Sequence, residues 1–516
     1  MTNDPTGRWL LMRLHESSRT APAAAFVVLL AAAGCLAWSP PASAHGDKDP
    51  LATRLSLASL PDLPLVTSPN VRQLSVNPGQ VGISGCFLQT APLFVTSGLD
   101  SLRVYDVTDG PRPELVGALA SVQFENEAMT CGERRTRLGT QRFALVGLDL
   151  VQASPGDVQH ANVGGGELLV VDVTDPAAPR IRSRVPGTTS THTVACVVDT
   201  DCAYAYSAGE RDSFSIFDLR DLDDPREVDS DAGQPGIQPF ASPTGGHKWN
   251  FDAAAVGTHT GWGGSSMWDV SDPRSPRLLT TTGAAGAGAD PEHPGYNDFI
   301  HHNSFRPNAT AFRPDAEPSF ANGNVLLVTE EDYEQTDCAR AGSFQTWWVQ
   351  RLDGTPDAIV PLDKVELADL GTYPLPQGAF CSAHWFDYHP SGVVAVGFYG
   401  GGTQLVDVRE PRHLASYGYA TQGVSEVWDS MWLPAYDRKG RQTARKTDIV
   451  YSIDLVRGLD VYGVDLPGTA ASAALPSGGT RLSAATLPVG LVGGSALVAV
   501  GLGRRSRRGR PRGPRP

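Results

Sequence analysis

The sequence predicts an all-β fold, a seven-bladed β-propeller whose last blade is completed by a strand from the N-terminal side. Three observations carry this. Of 516 residues, 55 are Gly and 40 are Pro with no collagen period, so turns are frequent and long helices are excluded. A strand phrase ending in a marker residue, Asp in five copies, returns seven times, at positions 106, 172, 218, 269, 350, 407 and 463, with gaps of 46 to 81 residues. The segment Val71-Arg72-Gln73-Leu74-Ser75-Val76 stands ahead of the first phrase with no blade of its own, while nothing after Gly463 reads as an outer strand.

The clearest copy of the phrase is Gly166-Glu167-Leu168-Leu169-Val170-Val171-Asp172-Val173-Thr174-Asp175-Pro176. Others run Leu102–Asp106, Phe214–Asp218, Ser266–Asp269, Thr346–Gln350, Gln404–Asp407 and Leu459–Gly463. Each alternates or masses β-branched and aromatic residues before a turn. A four-stranded blade cannot bury both faces alone, so a ring of blades is the closed solution, with an array of β-sandwiches as the alternative.

Both ends read as targeting devices. Residues 1–44 form a signal peptide: Arg8, Arg13 and Arg19, an apolar run Ala21–Trp38, and small residues before a cleavage point after Ala44. Cys35 offers a lipoprotein alternative, against which the apolar run continues past it. Residues 45–69 are a lead-in, 70–468 the propeller and 469–486 an Ala/Ser/Gly-rich spacer. Residues 487–502 form a charge-free apolar segment for a transmembrane or sorting helix, and 503–516 an Arg-rich cytoplasmic tail. The expectation is an exported, surface-tethered protein, with the tail either retained or processed.

Removing the arginines and acids of residues 1–44 and 481–516 leaves 31 basic and 54 acidic residues, a net charge of −23 for the body. That repels phosphate backbones and excludes a nucleic-acid partner. Six cysteines remain after the leader, an even number suited to disulfides in an exported chain. Cys196–Cys202 flank a hairpin and pair first; Cys86–Cys131 and Cys338–Cys381 are the remaining pairs. The lack of C-x-x-C argues against a thiolate metal site.

Histidines keep phase with the repeat. His192, His247, His302 and His384 each stand upstream of a phrase, and the first, second and last precede their markers by 26, 22 and 23 residues. Glu127 fills the slot in blade two and Asp429 in blade seven; blade one offers only Ser84. Inner strands of a propeller all start on one face, so this slot converges on the axis. Four imidazoles there suit a transition metal, iron or copper ahead of zinc. Glu127 and Asp429 are candidates for ligands, for acceptors that orient the imidazoles, or for proton carriers, with Glu127 the candidate catalytic acid/base. The competing reading makes the same histidines structural braces between blades. His301 alternates away from the axis, His389 belongs to a hairpin, and His160, His259, His293 and His413 are read as loop residues. Inserts at 132–142, 284–298 and 307–323 would decorate a face.

The phrases resemble those of LVIVD-repeat exported propellers over about residues 70–468. That resemblance implies the fold and leaves the role open. The plan of one histidine per blade is similar to that of the carotenoid-cleaving oxygenases, which hold iron. The runs His302–Pro307 and Asn324–Glu330 are similar to segments of the selenium-binding protein and methanethiol oxidase family, whose redox cysteine motif this chain lacks. These resemblances imply a histidine-bound metal and a small-molecule oxidoreductase. The rival expectation is a binding or adhesion propeller that presents a face to a cell-surface or extracellular protein partner.

Overall fold

The computed structural model describes residues 65–120, 127–149, 166–210, 212–288, 296–335, 337–371, 375–376 and 380–467. The segments read as signal peptide (1–44), spacer (469–486), apolar segment (487–502) and Arg-rich tail (503–516) lie outside these residues. Among the described residues no helix is long and apolar enough to cross a membrane.

Seven antiparallel sheets form the blades. Their innermost strands are Gly82–Phe87, Met129–Thr136, Thr193–Cys196, Lys248–Phe251, Ile300–Phe305, Phe386–His389 and Val427–Tyr436. Ala128 and Thr193 form a parallel bridge, so neighbouring inner strands run the same way and start on one face. Blade seven closes as the sequence predicts: Val71–Asn77 pairs with Gly458–Val464, from Val71 opposite Val464 to Asn77 opposite Leu459. The lead-in holds one element the sequence did not announce. Leu65–Thr67 pairs with Ala415–Gln422 and gives blade six a fifth strand.

Burial explains the wording of the repeat. The middle strands Leu93–Gly98 and Gly166–Asp172 are covered on both faces and are therefore nearly continuous apolar runs, whereas the outer strand Glu114–Ala120 is exposed or half-buried throughout. One apolar core lies between each pair of neighbouring blades. The ring-closing core between blades seven and one packs Phe87, Phe94 and Tyr451 in tilted and edge-on contacts with centroids 4.4–5.6 Å apart. The marker aspartates are turn formers: the carboxylates of Asp106, Asp172, Asp218, Asp269 and Asp407 each accept the backbone N–H two residues on, at 2.8–3.0 Å.

The three disulfides pair as expected, with Cα–Cα distances of 5.3–5.5 Å. Cys86–Cys131 joins the inner strands of blades one and two, and Cys338–Cys381 ties a blade-five loop to the chain entering blade six. Two expectations need correction. The insert at 132–142 is a regular hairpin, paired as far as Thr136 and Gly139, because its polar residues continue the strand alternation beyond the blade edge. His259 lies in the buried strand Val256–Gly261, where its ring stacks on Trp249 at 4.5 Å and its Nδ1 bonds Ser242 at 2.7 Å.

Candidate metal centre

Because inner strands start on one face, the residue before or within the first turn of each strand reaches the axis. His192, His247, His302 and His384 do meet there, all at most 5% exposed at the side chain, around the fully buried Glu127 carboxylate. His302 and His384 bring Nε2 within 2.8 and 2.9 Å of Glu127 Oε1. On the other oxygen, Oε2, His192 Nε2 makes a close contact and His247 Nε2 lies at 3.6 Å. Consecutive rings are 5.0, 4.2 and 4.0 Å apart between centroids.

A further carboxylate completes the cluster. Glu331 Oε2 lies 3.6 Å from His302 Nε2 and 3.9 Å from His247 Nε2, and its Oε1 lies 3.9 Å from His384 Nε2. The Tyr399 hydroxyl donates to Glu331. Glu331 ends the second strand of blade five, Val325–Glu331, and Asp149 ends the second strand of blade two, Gly139–Asp149. Second strands run antiparallel to inner ones, so they end on the face where inner strands begin. That is why Asp149 Oδ2 comes within 3.5 Å of His192 Nδ1. The sequence signal for both was a carboxylate closing an apolar run.

The imidazoles are oriented from behind. Nδ1 of His384 is 2.7 Å from the carbonyl oxygen of Trp428, which only accepts, so Nδ1 carries hydrogen and Nε2 faces the axis. Burial opposes charge on His192, but the Glu127 carboxylate and Asp149 outweigh it and hold that imidazole well above its usual range. His302 goes well below, through burial and the neighbouring His384 and His247. Burial, reinforced by Glu127, lifts Glu331 well above the carboxylate range. Such opposed shifts mark a site where charge is concentrated and water excluded.

Metal–nitrogen and metal–oxygen bonds of 2.0–2.2 Å place neighbouring ligand atoms about 2.9–3.4 Å apart. Apart from the closer His192 contact, the separations of 2.8–3.9 Å between Nε2 atoms and carboxylate oxygens bracket that spacing. This buried His/Glu group can therefore hold a metal ion.

Asp429 does not join the cluster. The inner strands of blades five and seven carry the same register shift, between His301 and Asn303 and between Val427 and Asp429, so Trp428 takes the place of His302 and Asp429 that of Asn303, one layer along the axis. There it lines a cavity of about 870 Å³ with Ser84, Lys248 and Trp385, a cavity that none of the four histidines, Glu127 or Glu331 touches. Trp385 is the partition: its ring lies 4.1 Å from His302 and 5.0 Å from His384, and Lys248 Nζ sits 4.8 Å over it. Burial lowers the Lys248 ammonium to about 8 and raises Asp429 to about 7. His301 points away, its Nδ1 2.8 Å from Ser265 Oγ, and His389 bonds Ser391 within its hairpin. His160 and His293 lie outside the described residues.

No protein-family model matches the chain. No curated protein matches it either. Among solved structures, the β-propeller domain of Myceliophteria thermophila Cps50 (Swd1) is similar at 11% identity and a TM-score of 0.47, over 77% of this chain and all of that one.

Proposed function

We propose that this chain is an exported, surface-associated metalloprotein and that its axial centre is a metal-dependent oxidoreductase site for a small molecule. His192, His247, His302 and His384 are the nitrogen ligands, with Glu127 and Glu331 as oxygen ligands. The observation that carries the reading is the convergence of Nε2 atoms from four successive blades on one buried carboxylate. Braces between blades would direct their nitrogens to neighbouring strands, as His301 does toward Ser265. Mixed imidazole and carboxylate donors favour iron or copper, and either would supply one-electron chemistry and bind oxygen ligands. Glu127 is also the candidate proton acceptor at the centre, since its buried carboxylate lies at the meeting point of all four imidazoles. Three disulfides support an oxidising compartment.

One observation favours a second reading. The donors are sealed from the large cavity by Trp385, so a closed metal centre that braces a binding propeller accounts for the burial equally well. Oxygen uptake by the chain loaded with iron or copper, across small reductants, separates the two. Uptake abolished in His302→Ala supports the oxidoreductase; a loaded, folded chain with no uptake supports the brace and turns the search to partners of the propeller face.

A further inference from the structure

The donor atoms do not form one equidistant shell. They fall into two sets, Glu127 with His192 and His247, and Glu127 with His302, His384 and Glu331; within each set all atoms lie within 4.8 Å of one another, and only Glu127 belongs to both. The division runs through the carboxylate itself: Oε2 faces His192 and His247, whereas Oε1 faces His302 and His384. Resting on the metal-centre reading, we propose that the centre is binuclear, with Glu127 as a bridging carboxylate.

Ligand geometry supports two ions over one. Bonds of 2.0–2.2 Å put two ligands of the same ion no more than about 4.4 Å apart, even when they are opposite. One ion must therefore draw both sets inward, past a carboxylate whose oxygens already serve different histidine pairs. Two ions about 3.5–4 Å apart, one against each oxygen, satisfy both pairs with little movement, and that is the usual spacing of two-metal sites. The first ion takes His192 and His247, with Asp149 behind His192 Nδ1 at 3.5 Å. The second takes His302 and His384, with the Trp428 carbonyl behind His384 Nδ1 and Glu331 completing its shell. Glu331 Oε2 also leans toward the first subsite, 3.9 Å from His247 Nε2, and so stands ready as a second bridge. Charge fits as well. Two divalent ions in a pocket from which water is excluded need anionic ligands, and this chain supplies two buried glutamates at the junction where a single ion flanked by four imidazoles needs fewer.

The test is stoichiometry with a probe that needs no redox cycling. The full-length chain, stripped with chelator and dialysed, is titrated with Co(II) and the visible absorption followed, with elemental analysis after gel filtration. Two equivalents per chain are expected. His192→Ala should bind one, His384→Ala should bind one, and the combined variant none, with near-UV circular dichroism reporting that the ring is intact. Saturation at one equivalent, lost entirely in either single variant, overturns the binuclear centre and leaves the metal reading standing. No cobalt bound by the folded wild-type chain overturns both. The wild-type titration alone decides the count if a variant fails to fold.

Discussion

His301 and His302 are adjacent, and the structure gives them opposite duties, which one substitution can separate. His301 is fully buried beside Trp347, bonded to Ser265, and burial lowers its imidazole to about 3, against 6.5 for a free side chain. The folded chain refuses a proton that the unfolded chain accepts below pH 6.5. Stability from this group is thus fully present above pH 6.5 and is lost as pH falls toward 3, at about 1.4 kcal/mol per pH unit, or about 3 kcal/mol by pH 4. His301→Gln removes that titration. At pH 7.5 the variant should be about 1–2 kcal/mol less stable than wild type, from imperfect packing and one altered hydrogen bond. At pH 4 the gap should shrink by about 3 kcal/mol and close or invert. Urea unfolding at the two pH values measures it, and metal content should be unchanged. An equal gap at both pH values would refute the assignment of His301 as a neutral core residue.

Trp385→Ala should lower unfolding free energy by about 3 kcal/mol. It should also speed extraction of bound metal by a chelator about tenfold or more, the effect of some 1.4 kcal/mol off an opening barrier; an unchanged extraction rate would mean that Trp385 is not the partition. Glu331→Gln mimics the protonated carboxyl that burial favours in the metal-free chain. Its metal-free stability should therefore stay within about 1 kcal/mol of wild type while metal affinity drops at least about tenfold; unaltered affinity in a competition titration would remove Glu331 from the ligand set. Cys338→Ala with Cys381→Ala opens a link spanning 43 residues and should cost about 4 kcal/mol, read by urea unfolding. No change would mean that this link does not anchor the entry to blade six.

What was legible in the sequence followed from repetition. Strand phrases, the closing strand Val71–Asn77 and the slot of His192, His247, His302 and His384 are all periodic, and a ring converts period into position. Glu331 and Asp149 were missed because they come from second strands. Their approach depends on where each hairpin ends rather than on distance from a marker. Asp429 stands 34 residues before its marker at 463, against 22 to 26 for His192, His247 and His384, and the strand pairing gives the slot of His302 to its neighbour Trp428. His259 has no repeat phase because it belongs to a second strand, where stacking on Trp249 places it in the core. The strand Leu65–Thr67 is short and unpatterned, and only its pairing with Ala415–Gln422 reveals it.

The most direct measurement is elemental analysis of the full-length chain, exported into an oxidising compartment and purified without chelators or a histidine tag. The expected result is stoichiometric iron or copper, about two equivalents per chain, falling to about one in His247→Ala while the fold persists. A folded wild-type chain that carries no transition metal, and takes up none when iron, copper and zinc are offered in turn, would contradict the axial metal centre and leave the four histidines as braces of the ring.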